Sequence, residues 1–173
     1  MLDLEFKECQ KNDIQEVIFI INEAYRAERK NNAWTTESHI LTGIRVNEDM
    51  MEKILDEKST KTYIAKVDNK IVGTIQSKLD GENIHIGLFA VDTKFQASGI
   101  GKKLLEFAEN SSSKLWGKST FIMEVISTRI ELMEYYIRRG YKNTNSFIEF
   151  PKSELWTSNT NEELKLLVLK KTI

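Results

Sequence analysis

The stretch Val91-Asp92-Thr93-Lys94-Phe95-Gln96-Ala97-Ser98-Gly99-Ile100-Gly101-Lys102-Lys103-Leu104-Leu105 passes from a β-rich run, through a loop with two glycines, into a helical pattern. Upstream, Asn83 to Val91 reads as a strand. Downstream, Ile100, Leu104, Phe107 and Ala108 mark one face of a helix, and Gly117 is a suitable stop. Glycines let the backbone turn tightly and approach a ligand, while the first-turn N–H groups of the helix point unpaired into the loop. The helix dipole adds to that field, and Lys102 and Lys103 supply compact charge at the rim, so the geometry suits phosphate. The glycine spacing is neither Gly-x-Gly-x-x-Gly nor a Walker loop, which excludes a Rossmann or P-loop nucleotide site.

Working outward, Asp80-Gly81 marks a hairpin between Ile71 to Leu79 and Asn83 to Val91. The pair is preceded by Tyr63 to Val67, so three successive strands are expected. Before them, Asn47-Glu48-Asp49 predicts a helix start near residue 48. Ile14, Val17, Ile18, Ile21 and Tyr25 predict another helix, capped by Asn12 or Asp13. Leu2 to Lys7 alternates as a strand, and residues 29 to 46 read as irregular or partly helical. After the glycine loop and its helix come a doubly covered strand, Phe121 to Ile126, and a helix through Ile130, Met133, Tyr136 and Ile137 that ends at Gly140. Phe147 to Phe150, with Pro151 closing it, and Leu164 to Leu169 are the last expected strands. One mixed sheet flanked by helices satisfies this order, an α/β fold in one domain over residues 1–173.

Composition narrows the function. The 173 residues carry 25 basic and 26 acidic side chains, a net charge of −1, so nothing pulls the whole molecule towards nucleic acid or an anionic membrane. One cysteine, Cys9, rules out an internal disulfide and suits a reducing compartment; a cytoplasmic location is the expectation. No run of about 18 apolar residues suggests a membrane span. The two histidines, His39 and His85, have no metal-ligand spacing, so no metal is expected.

A second segment gives the glycine loop its meaning. Arg129-Ile130-Glu131-Leu132-Met133-Glu134-Tyr135-Tyr136-Ile137-Arg138-Arg139-Gly140-Tyr141 places a tyrosine four residues before the glycine that ends a helix. With Gln96-x-x-Gly99-x-Gly101 at the head of the preceding helix, the chain resembles the Gcn5-related N-acetyltransferase superfamily. That resemblance implies a mostly antiparallel mixed sheet of about seven strands with about four helices, and acetyl-coenzyme A as cofactor. It implies that Gln96, Ala97, Ser98, Gly99, Ile100, Gly101 and Lys102 hold the pyrophosphate through backbone amides. It further implies that Phe89, Ala90 and Val91 form a strand end splayed from its parallel neighbour, whose backbone pairs with the pantetheine arm. Tyr136 matches the tyrosine proposed to protonate the departing thiolate. Ala97 stands where many members have glycine, and Arg129 where many have asparagine. Dimers are common among members, so a homodimer is a further expectation.

Acetyl transfer to an amine needs the amine neutral, a site for charge on the carbonyl oxygen and a proton for sulfur. Deprotonating a lysine-like amine of pKa ~10.4 at pH 7 costs about 4.6 kcal/mol, so a base is worth finding. His85 lies on the strand leading into the loop and shares strand parity with Gly87, Phe89 and Val91, where a histidine can accept a proton directly or through water. In histone-modifying members a catalytic glutamate occupies that spacing from the loop. Glu82 and Glu124 are alternatives. Trp34, Glu37, His39 and Arg45 fall in the irregular segment expected over the acceptor; Trp34 reads equally as core, and Glu37 as attracting a cationic amine or as a solvated charge. The reading is an acetyltransferase acting on the primary amine of a small molecule through a ternary complex. A non-catalytic acyl-coenzyme A-binding domain and a protein N-terminal or lysine acetyltransferase stay open.

Overall fold

A computed structural model describes residues 3–26 and 36–173. The alternating N-terminus forms strand β1 (Leu4–Glu8), and the next apolar stripe forms helix α1 (Ile14–Arg26). Asp13 does not cap α1 forwards: its carboxylate reaches back to accept from the Gln10 N–H at 2.9 Å, closing a short 3₁₀ turn, Lys11–Asp13. Helix α2 (Glu48–Asp56) starts where expected, with the Asn47 side chain accepting from the Met50 N–H at 2.9 Å. Strands β3 (Thr60–Val67), β4 (Lys70–Asp80) and β5 (Asn83–Val91) make the meander, followed by α3 (Ile100–Trp116), β6 (Thr120–Ile126) and α4 (Ile130–Ile137). Strands β7 (Lys142–Glu149) and β9 (Lys165–Thr172) close the sheet.

The seven-stranded sheet has the order β1-β3-β4-β5-β6-β9-β7, antiparallel throughout except for β5 against β6. Its two faces are both covered, and the central strands β3 and β4 are accordingly buried along nearly continuous runs. On one face α1 and α2 bury Val17, Ile20, Ile21 and Met51 against Ile64, Ile71, Leu88 and Ala90. On the other, α3 and α4 bury Ile100, Leu104, Leu105 and Tyr136 against Ala65, Ile75, Ile84, Ile86, Phe121 and Met123. Each fully buried aliphatic side chain contributes about 1.5–3 kcal/mol through burial, so both layers hold the sheet.

Three features differ from the sequence expectation. Leu41–Gly43 (β2) and Trp156–Ser158 (β8) pair antiparallel as a separate two-stranded sheet at one end of the fold. Three residues carry no readable period; the pairing depends on tertiary contact. Gly43 is required there: its φ is +117°, and a Cβ would stand 2.1 Å from the Leu155 carbonyl oxygen. Strand β7 begins at Lys142 instead of Phe147, because its first residues are polar and exposed on an edge strand with little core to face.

The most consequential feature is a bulge. Thr74 pairs with Ala90 and Gln76 with Gly87, so Leu88 and Phe89 stand opposite the single residue Ile75. Leu88 takes φ +44° to make the extra step. Before the bulge, Ile84 and Ile86 face α3 and α4; after it, Leu88 and Ala90 face α1, and Phe89 turns to the α3 side. The expectation that His85 shares a face with Phe89 and Val91 is therefore corrected: the bulge reverses the parity between them.

Candidate active site

Strand β5 delivers the chain into the glycine loop through a short 3₁₀ turn, Thr93–Phe95, in which Asp92 accepts from the Lys94 N–H at 2.9 Å. The loop then doubles back through two left-handed residues, Ala97 at φ +62° and Gly99 at φ +84°. Gly99 is the N-cap of α3 and offers no side chain to the first-turn donors; the Ile100 N–H donates to the Ser98 hydroxyl at 3.5 Å, and the Gly101 and Lys102 amides remain available to a ligand. Gly101 sits one residue into the helix, where a Cβ would come 3.0 Å from the Tyr135 hydroxyl and 3.5 Å from both Phe89 and Val91. Glycine there keeps the floor of the crevice open.

That crevice, about 250 Å³, is lined by Phe89, Val91, Phe95, Gln96, Ala97, Gly99, Gly101 and Lys102 from the strand and loop. Leu132, Tyr135, Tyr136 and Arg139 of the α4 segment complete it. Eight residues expected at the site thus converge: Phe89, Val91, Gln96, Ala97, Gly99, Gly101, Lys102 and Tyr136. Three others support it without lining it. Ala90 packs into the α1 core, Ile100 is buried beneath α3, and the exposed Ser98 hydroxyl donates to the Phe95 carbonyl. Arg139 was not anticipated. It lies 3.3 Å above the Tyr135 ring and donates to the Tyr135 carbonyl at 2.8 Å, and with Lys102 it puts a second cation on the wall.

Paired residues between β5 and β6 run only from Asn83↔Thr120 to His85↔Ile122. Beyond that point the two parallel strands part, as expected of a splayed strand end. The Phe89 carbonyl accepts from the Tyr25 hydroxyl at 3.0 Å, and the Val91 carbonyl accepts from Gln96 Nε2 at 3.1 Å. Each oxygen keeps a second lone pair for a ligand.

A second cavity of about 200 Å³ lies across this opening, between α1, β5, β6 and the β8 region. Tyr25, Arg26, Glu37, Arg45, Glu124 and Trp156 provide its polar and aromatic lining. Phe89, Leu132 and Tyr136 line both cavities, so Tyr136 stands where they meet. Its ring packs 6.3 Å from Phe89 and 5.3 Å from Tyr135, centroid to centroid. Burial drives the Tyr136 pKa well above the ordinary tyrosine value, against the opposing pull of Arg129 and Arg139, so the hydroxyl is a held proton at neutral pH.

Glu37 is neither a surface charge nor a free trap for an amine. It is buried and paired with Arg26 at 2.5 Å. Of the other residues expected near the acceptor, Arg45 lines the second cavity, His39 does not, and Trp34 lies outside the described residues. His85 does not line either cavity; its Nδ1 sits 3.1 Å from Oε1 of Glu124, which does. That hydrogen bond outweighs partial burial and raises the His85 pKa. Tyr25, Arg26 and Trp156 were missed because their meeting depends on the β2–β8 pairing and the end of α1, neither of which leaves a local signal.

The residues 25–155 match the family model described as an acetyltransferase (GNAT) domain. The chain belongs to the GNAT acetyltransferase family. It is 31% identical over 81 residues, 47% of its length, to an uncharacterized N-acetyltransferase of Methanocaldococcus jannaschii, matching 52% of that protein. It is 26% identical over 103 residues, 55% of its length, to an uncharacterized N-acetyltransferase from the pepI 3′ region of Lactobacillus delbrueckii subsp. lactis, matching 59% of that protein. The chain therefore spans about half the length of the curated relatives it matches. Among solved structures, it resembles the ribosomal-protein-S18-alanine N-acetyltransferase of Escherichia coli with a TM-score of 0.71, at 14% identity over 98% of this chain and 94% of that one. It resembles the PaiA N-acetyltransferase of Thermoplasma acidophilum, solved with coenzyme A, with a TM-score of 0.71, at 14% identity over 99% of both chains. At such identities the likeness speaks for the GNAT fold, which among the described residues is a mixed, mostly antiparallel seven-stranded sheet with four α-helices. Among the described residues no helix is long and apolar enough to cross a membrane.

Proposed function

We propose that this GNAT chain, as one domain over residues 1–173, transfers acetyl from acetyl-coenzyme A directly to the primary amine of a small molecule within a ternary complex. The observation that carries the reading is the meeting of two cavities at one protonated tyrosine, Tyr136. The first cavity suits the diphosphate and arm of coenzyme A. It has an uncapped helix terminus, a floor kept open by Gly101, and Lys102 and Arg139 as cations. The second is lined by Tyr25, Arg45, Glu124 and Trp156, polar and aromatic groups that can seat the amine-bearing acceptor.

Bound acetyl-coenzyme A supplies an activated thioester. Phe89, Leu132 and Tyr136 bring the acceptor's nitrogen and that thioester into one apolar junction, replacing a bimolecular encounter by a positioned one. Glu124 faces the acceptor and takes the amine proton through water, with His85 behind it as its hydrogen-bonded partner. As the C–N bond forms and the C–S bond breaks, the Tyr136 hydroxyl donates a hydrogen bond to the sulfur. With its pKa above that of a thiol, near 8.5, net proton delivery comes through Tyr136 from solvent.

Calorimetric titration with coenzyme A, followed by free-thiol release across a panel of small amines and a lysine-bearing peptide, tests the proposal. Expected are coenzyme A binding and turnover with at least one small amine. A folded protein that does not bind coenzyme A refutes the cofactor; turnover of the peptide alone refutes the small acceptor.

A further inference from the structure

Two arginines share the acceptor cavity with one carboxylate committed to them. Arg26 and Glu37 neutralise each other at 2.5 Å, with side chains only 6% and 10% exposed. Arg45 has no carboxylate within ion-pair distance among the described residues, and Glu37, the acid whose charge acts on it, is held by Arg26. The cavity's other acid, Glu124, is hydrogen-bonded to His85. Among the described residues, the group of Arg26, Glu37 and Arg45 thus leaves one positive charge in the cavity without a paired carboxylate.

Geometry gives that charge a direction. The Arg45 guanidinium lies 5.8 Å from the Tyr25 ring centroid and 5.4 Å from that of Trp156, so aromatic rings occupy its surroundings. Its backbone is fixed as well, because the Asn22 side chain accepts from the Arg45 N–H at 2.7 Å. Contact with ring faces leaves the in-plane N–H edge as the available donor surface, a fork that matches a planar carboxylate. Arg26 lies 5.7 Å from the same Trp156 ring, and its Nε is buried with no hydrogen-bond partner. Tyr25 connects this charge to the reaction centre, since its hydroxyl is bonded to the Phe89 carbonyl beside Tyr136.

We propose that the acceptor amine also carries a carboxylate, seated on Arg45 between Tyr25 and Trp156, with the amine reaching towards the Tyr136 junction. This rests on the acetyl-transfer reading above and narrows the substrate class to amino carboxylates. A partly buried guanidinium with no paired carboxylate is costly to hold, and the acceptor's carboxylate relieves that cost on binding. Arg45 is then a substrate-binding residue that sets specificity and does not touch the breaking bond.

The test uses glycine, β-alanine, 4-aminobutyrate and the common L-amino acids, each beside its carboxamide, with 2-aminoethylphosphonate as a further anion. Free-thiol release gives kcat and KM, and saturation-transfer NMR reads acceptor binding without acetyl-coenzyme A. At least one carboxylate is expected to have a KM tenfold or more below its carboxamide. R45Q should raise that KM at least tenfold with kcat within about threefold, and R45K should recover part of it. Unchanged coenzyme A affinity and unfolding temperature show that R45Q is folded. A carboxamide used as well as its acid, an R45Q enzyme with unchanged KM, or 2-aminoethylphosphonate preferred to β-alanine would each overturn the assignment. Should acetyl transfer itself fail, the NMR arm still decides: carboxylate binding lost in R45Q supports the site, and equal binding of acid and carboxamide refutes it.

Discussion

Replacing Gly101 by alanine separates what the loop does for the fold from what it does for a ligand. Gly101 is a helical residue without positive φ, so alanine gains up to about 1 kcal/mol of helix propensity. Against this, the new methyl would meet the Tyr135 hydroxyl at 3.0 Å, a contact that forces a shift of a few tenths of an ångström. Overpacking in a rigid core costs about 1–3 kcal/mol, but here one neighbour is an open crevice, so the penalty falls at the low end and the two terms nearly cancel. The unfolding free energy should stay within about 1 kcal/mol of the parent. Binding has no such compensation. The methyl projects among Tyr135, Phe89 and Val91, where the proposed diphosphate carrier must approach the backbone. Loss of one charge-assisted hydrogen bond, about 1.5–3 kcal/mol, weakens coenzyme A by roughly 10- to 150-fold. Denaturant unfolding and calorimetric titration on the same preparation measure both. Wild-type coenzyme A affinity in a stably folded Gly101→Ala protein would refute the assignment of this crevice.

Ala97→Gly should raise stability by about 1 kcal/mol in denaturant titration, because the alanine holds φ +62° where a Cβ is strained; a destabilised variant would show that the methyl packs productively. Tyr136→Phe should lower kcat about 100-fold with coenzyme A affinity within about threefold, and an unchanged kcat would remove its hydroxyl from the chemistry. The Glu124 hydrogen bond raises the His85 pKa, so their pairing stabilises the fold fully below the unfolded histidine value and is lost as pH rises through the raised one. In Glu124→Gln, the histidine titration followed by NMR should move down in pH; an unmoved titration would show that the pair is not coupled in solution.

Much of the fold was legible because its elements are long and carry their own stop signals. Helix α3 was bounded by Gly99 and Gly117, both left-handed, and α2 by the Asn47 cap. The β4–β5 hairpin followed from Asp80-Gly81, whose glycine turns at φ +57°. The lining residues Gln96, Ala97, Gly99, Gly101 and Lys102 sit where β5 passes into α3, and Tyr136 sits on α4, whose stop at Gly140 was also readable. What the sequence concealed was set by contacts between distant residues. Nothing in Ile86-Gly87-Leu88-Phe89 marks Leu88, and not its glycine neighbour, as the residue that turns left-handed, so the bulge and the displacement of His85 from the Phe89 face had no local sign. The Arg26–Glu37 pair joins residues eleven apart, and Arg45 meets Trp156 only because β2 and β8 pair. Cavity chemistry written by tertiary approach, as here, leaves charge and aromatic types in the sequence without their arrangement.

The most direct measurement is a crystal structure of the protein grown with acetyl-coenzyme A. The diphosphate should lie against the amides from Ala97 to Lys102, with the arm between the parting ends of β5 and β6 and the thioester beside the Tyr136 hydroxyl. Density for the cofactor elsewhere, or a well-ordered loop with the crevice closed to it at saturating concentration, would contradict the account.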